Sequence, residues 1–211
     1  MKKEKNVNVV SVVSGSLVAL LLAGCAGTTG QTSVDSGSPE VKSLSCIAVL
    51  PVSPVFMTTG KPTQSQIENM DKGAKYLDTV LAKQLQTHVK VKFANDAQVT
   101  MGSRDTTQLR QVAASTGCEA VLVTEIVRYQ QRVGGEAAVD MPASASFSFH
   151  LLHAASNRSI WNADFDETQE SLLGNLLTFN KAEKRGFKWI TVEEMVAQGA
   201  TEQLEACPYL K

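Results

Sequence analysis

Cys46-Ile-Ala-Val-Leu-Pro51 and Cys118-Glu-Ala-Val-Leu-Val-Thr-Glu-Ile-Val127 decide how this chain of 211 residues folds. In both stretches the apolar residues run unbroken instead of alternating with polar ones, the pattern of a strand covered on both faces. Two helical patterns and one short alternating stretch lie between them. Ser65 and Glu68 form a capping-box pair, and Ile67, Met70, Ala74, Leu77, Leu81 and Leu85 follow at spacings of three or four, one apolar stripe. Asp71 and Lys75, four apart, support that helix. Val89 to Phe93 alternates with Lys90 and Lys92 and reads as an edge strand. Asp105 or Thr106 caps a second helix that presents Leu109, Val112 and Ala113, and Gly117 ends it in the left-handed conformation. The order is β-α-β-α-β.

After Gly134-Gly135 the chain alternates again, with Phe147, Phe149 and Leu151 on one side and Ser146, Ser148 and His150 on the other. Ser156-Asn157 turns it into Ile160-Trp161, which makes an antiparallel hairpin. Residues 168 to 179 hold Leu172, Leu173, Leu176 and Leu177 at helical spacing, and Thr191 with Glu194 opens a last helix that stops before Pro208. The expected architecture is α/β: one domain over residues 45–211, with a mixed β-sheet flanked by helices and further C-terminal helices.

The composition narrows the function classes. With 43% hydrophobic and 19% charged residues the chain is too apolar to be disordered and too polar to be a multispan membrane protein. Its 20 basic and 21 acidic residues leave a net charge of -1, so nucleic acid is excluded as a partner by the lack of any basic excess.

Residues 1–24 have the plan of an export signal. Lys2, Lys3 and Lys5 precede an apolar run from Val9 to Ala23 that is shorter than the ~20 apolar residues needed to cross a bilayer. The run ends Leu22-Ala23-Gly24-Cys25, which resembles the bacterial lipobox. The resemblance implies cleavage before Cys25, attachment of a diacylglyceryl group to its thiol, and anchoring by two or more acyl chains. Ala26, where inner-membrane retention would require Asp, implies the outer membrane, with the body facing the periplasm. Residues 25–44, rich in Gly, Ser and Thr, read as a lipidated flexible tether reaching ~24 Å.

The order of leader, tether, "IAVLP" strand, long loop, amphipathic helix, "GCEAVLVTEIV" strand and a hairpin ending "SIW" resembles a group of periplasmic α/β domains. These are shared by curli-secretion lipoproteins, TolB amino-terminal domains and lipoprotein activators of penicillin-binding proteins, and the resemblance covers residues 45 to about 165. Asp164 to Glu170 and the closing helices are similar to those of uncharacterised bacterial lipoproteins. The resemblance implies a non-catalytic envelope protein that binds other envelope or periplasmic proteins, as subunit or regulator of an assembly. An oligomeric secretion-channel component, built from copies of this chain, is the alternative from the same group. Against a membrane barrel, residues 128 to 150 carry Arg128, Arg132, Glu136, Asp140 and Pro142.

No cofactor and no metal is expected. Thr59-Gly60-Lys61 lacks the first Gly and the final Ser or Thr of a phosphate loop. His150 and His153, three apart on a strand, point to opposite faces. Asp164, Asp166, Glu167 and Glu170 read as a solvated acidic face, with an unrecognised hydrolase as the alternative reading of those carboxylates. Cys46, Cys118 and Cys207 allow three disulfide pairings in an oxidising compartment; Cys46 with Cys207 is favoured, and three buried thiols are the alternative. Two segments are candidate partner-binding surfaces. One is the loop with Val55, Phe56 and Met57 at the carboxyl end of the first strand, where open α/β sheets place their crevice. The other is Phe179 to Trp189, where Lys184, Arg185, Phe187 and Trp189 interleave basic and aromatic side chains.

Overall fold

The computed structural model describes residues 32–33, 43–57, 59–95, 106–170, 183 and 185–211. Two strands form where the unbroken apolar runs place them: β2 (Ile47–Val49) and β5 (Ala120–Gln130). They pair in parallel, Ile47 opposite Ala120 and Val49 opposite Leu122. On the far side of β2 lies the edge strand β4 (Val91–Phe93), also parallel. Pro51 interrupts the first strand, and the chain rejoins β5 as β3 (Ser53–Pro54). Beyond β5 the sheet is antiparallel: β8 (Ser144–His153) and β9 (Arg158–Thr168) form the expected hairpin, with β1 (Thr32–Ser33), inside the stretch read as tether, beside β9. The order across the sheet is β1-β9-β8-β5-β2-β4. A small second sheet, β6 (Val133–Gly134) with β7 (Val139–Met141), fills the connection between β5 and β8 and was not foreseen from the sequence pattern.

Helix α1 (Gln64–Leu85) starts two residues earlier than Ser65 suggests: Thr63 is the N-cap, and Gln66 in place of Glu68 closes the capping box. The amide of Gln66 serves because the motif needs only an acceptor reaching back to the N-cap N–H. α2 (Thr106–Thr116) ends at Gly117, whose φ of +67° is the left-handed cap. α3 (Val192–Glu205) begins at the Thr191–Glu194 capping box, and a 3₁₀ turn, Pro208–Leu210, closes the chain.

Side-chain alternation sorts the core into two layers. Leu77 and Leu81 of α1 and Met195 and Val196 of α3 pack with Val49, Leu122, Phe147, Phe149, Trp161 and Phe165 on one face. Leu109, Val112 and Ala113 of α2 cover Ala48, Val121 and Val123 on the other. Phe147 stacks on Phe165 at 4.8 Å between ring centroids, and burying each such ring contributes about 1.5–3 kcal/mol. Helix α2 covers only the parallel half of the sheet, so β8 and β9 present their second, polar face to solvent.

The favoured Cys46–Cys207 pairing is corrected. Cys46 is bonded to Cys118, with Cα atoms 4.6 Å apart, and Cys207 is buried as a free thiol in the α1–α3 layer. The two bonded cysteines stand at the amino ends of adjacent parallel strands, whereas α3 lies on the opposite face. The leucines 172, 173, 176 and 177 lie outside the described residues, and Thr168 is the last residue of β9 instead of the start of a helix.

Candidate functional site

The carboxyl end of β5 and the loop that follows β2 open into a crevice of about 520 Å³. Its walls come from three elements. The loop after β2 is held in place by two backbone donors: Val52 N–H to Asp78 Oδ1 of α1 at 2.9 Å and Val55 N–H to Ile126 C=O at 2.8 Å. Phe56 and Met57, which follow, form one wall. Gln66, Asn69 and Met70 of α1 form the second, and residues 127–130 of β5, Gln131 just beyond it and Met141 of β7 form the third. Met57 is 79% exposed and Met141 45%, large apolar side chains left facing water. Among the described residues, Arg128 is the one ionisable side chain with a formal charge at neutral pH in this lining, and its guanidinium is bound to Asp166 at 2.6 Å.

Beneath the crevice Tyr129 donates its hydroxyl to Glu193 Oε1 at 2.9 Å, and Gln131 Nε2 donates to Glu193 Oε2 at 2.6 Å. Gln131 also accepts from the Val192 N–H, which ties the end of β5 to the start of α3. Burial, reinforced by the bond to the Glu193 carboxylate, pushes the Tyr129 hydroxyl far above its ordinary value. Burial also opposes the charge on Glu193, but the helix N-terminal N–H, the Tyr129 and Gln131 donors and Lys72 together outweigh it and hold the carboxyl below its ordinary value. No spacing rule links Tyr129 to Glu193; only the tertiary fold brings them together.

The second expected surface divides. Phe187 is 54% exposed, with φ of +58°, and Trp189 is half-buried, its backbone N–H donating to Glu136 C=O. Arg185 is turned inward, which corrects its reading as a surface contact: Nη1 bonds Glu167 Oε1 at 2.6 Å and Nε bonds Gln198 Oε1 at 2.9 Å. Lys184, like Cys25, lies outside the described residues. Gln169 fastens the base of this segment, donating to Lys188 C=O and accepting from Ile190 N–H, both at 2.9 Å.

The acidic run also divides. Asp164 and Asp166 are exposed on the open face of β9, while Glu167 points to the other side and meets Arg185. His150 bonds Asn162 Oδ1 at 2.8 Å and Ser148 Oγ at 3.1 Å, and His153 bonds Ser156, so the two imidazoles have separate partners. A groove of about 680 Å³ between α1 and α3, lined among others by Tyr76, Lys83, His88, Thr201 and Leu210, contains, among the described residues, none of the partner-binding candidates read from the sequence.

No family model matches the chain, and no curated protein matches it in sequence. Solved structures similar to it include the PelC dodecamer from Paraburkholderia phytofirmans, 13% identical with a TM-score of 0.45 over 81% of this chain and 91% of that one. The LpoB C-terminal domain from Salmonella enterica is 11% identical, TM-score 0.35, over 62% of this chain and 87% of that one. Lipoprotein GNA1162 from Neisseria meningitidis is 14% identical, TM-score 0.39, over 67% and 99%. At these identities and scores the likeness carries no functional argument.

Proposed function

We propose that this chain is a non-catalytic lipoprotein of the bacterial cell envelope, anchored through Cys25 to the outer membrane and facing the periplasm, where it binds another envelope protein as subunit or regulator of an assembly. The observation that carries the binding reading is the make-up of the crevice: exposed methionines and an aromatic wall, rimmed by the amides of Gln66, Asn69, Gln130 and Gln131. Such a surface gains from burying apolar area and from amide hydrogen bonds, the terms that hold protein interfaces together. The address rests on Lys2 to Cys25 as a sequence, and the Cys46–Cys118 bond fits an oxidising compartment.

Metabolic labelling with palmitate, beside a Cys25→Ser variant, tests the anchor: the reading expects label on the parent and none on the variant, and an unlabelled parent overturns it. In-cell photo-crosslinking from Phe56 tests the binding, with a discrete heteromeric adduct expected. A chain that forms no adduct from either Phe56 or Trp189 is not a binding module of this kind.

A further inference from the structure

The lane beside β5 is filled in two instalments and then stops. β2 lies along Ala120–Leu122, β3 lies along Glu125–Ile126, and Val55 N–H makes the last bond to Ile126 C=O before the chain turns away into Phe56 and Met57. β5 itself continues for four more residues, paired on its other side with β8 as far as Gln130 opposite Ser144. Ahead of the irregularity between Ile126 and Arg128, Ala120, Leu122 and Ile126 turn their backbone groups toward the β2–β3 lane. The inserted residue reverses that alternation, so Arg128 and Gln130 face β8 and the Tyr129 N–H and C=O face the lane. Among the described residues no segment of the chain occupies the lane there, and what it opens into is the crevice.

We infer that the crevice takes an extended segment of a partner protein, which adds to the sheet as a strand alongside Val127–Gln131. This rests on the binding reading above and specifies its mode. A strand-shaped occupant is favoured over a helix because the Tyr129 backbone offers one donor and one acceptor in line with the existing ladder, which an extended peptide satisfies and a helix, its own backbone already paired, does not. The chemistry of the segment follows from charge. Among the described residues the crevice lining holds no carboxylate, and its guanidinium is neutralised by Asp166. A charged side chain entering it loses water without gaining a counter-ion. The segment is therefore uncharged, with apolar residues at every second position to meet Phe56, Met57 and Met141, and polar ones between them to meet the glutamines.

The test uses the full-length chain in its own cell, with a photo-crosslinking residue placed in turn at Phe56, Met57, Gln131 and Met141 and the adducts mapped by mass spectrometry. The expected result is one partner, with all four positions attached inside a single uncharged stretch of about eight residues at alternating sites. A further variant, Met57→Asp, is expected to lower adduct yield at Gln131 at least tenfold while leaving the thermal unfolding midpoint unchanged, since Met57 is mostly exposed. Adducts to lipid, to a second copy of this chain, to a helix or scattered over one partner overturn the strand mode while leaving or redirecting the binding reading. No adduct at any of the four positions overturns both.

Discussion

Gly73 of α1 faces the ring of Tyr129 on β5 so closely that a Cβ on it would stand 2.6 Å from the ring's Cγ. The approach sets how near α1 lies to the strand that borders the crevice, and it explains a glycine in the middle of a 22-residue helix. Gly73→Ala improves intrinsic helix propensity by about 1 kcal/mol, yet it drives a methyl into a ring fixed by its bond to Glu193. The clash is expected to win, with a net loss of about 1–2 kcal/mol. Urea unfolding checks this; Gly60→Ala, where nothing lies within 4 Å of the added carbon, is the control and is expected to cost little.

Glu193 makes stability depend on pH in a known direction. Its folded-state pKa lies below the ordinary value of 4.5, so its contribution is fully present above that value and is lost as pH falls through the folded pKa. Glu194, held down first by the Thr191 backbone N–H, acts with the same sign. Denaturant midpoints measured from pH 7 down to about 3 are expected to fall more steeply for the parent than for Glu193→Gln.

Arg185 and Glu167, with side chains only 7% and 13% exposed, form a pair that must be kept or removed together. Arg185→Met alone is expected to cost about 3–5 kcal/mol because it takes the guanidinium away from a buried carboxylate; adding Glu167→Met should restore much of the loss. A double-mutant cycle in urea gives the coupling directly, and a single variant no less stable than the double contradicts it.

How far the sequence discloses the fold depends on the length of each pattern. Leu77, Leu81, Phe147 and Phe149 announce their elements because a buried face repeats over several turns or pleats. β6 and β7 have two and three residues, too few for any period to register. The inward turn of Arg185 is invisible locally, since its partners Glu167 and Gln198 approach from a strand and a helix. The disulfide, by contrast, left a trace in the rhyme of Cys46-Ile-Ala-Val-Leu50 with Cys118-Glu-Ala-Val-Leu122. The two strands lie side by side offset by one residue, Ile47 against Ala120, which brings the two sulfur atoms to the same end. The Phe56–Met57 loop was legible by topology alone, whereas the free length of β5 beyond β3 needed the register.

The Cys46–Cys118 bond closes a loop of 72 residues. On chain-entropy grounds a Cys118→Ser variant is expected to lose roughly 4 kcal/mol, while Cys207, whose thiol burial pushes above its ordinary value, is expected to react with maleimide only after unfolding. With Cys25 acylated or replaced by Ser, thiol counting of the native and the denatured protein should give none and one reactive group respectively; two or more in the native state contradicts the pairing.

That covalent link also imposes a chronology. It ties the two inner parallel strands, which thiol-reducing surroundings would leave unlinked, so a copy kept in a reducing compartment is a looser version of the molecule. If the chain is exported as proposed, maturation coincides with arrival: the sheet receives its stitch only where oxidant is supplied, and material recovered from the cytosol of an overproducing cell is the weaker form until it is oxidised.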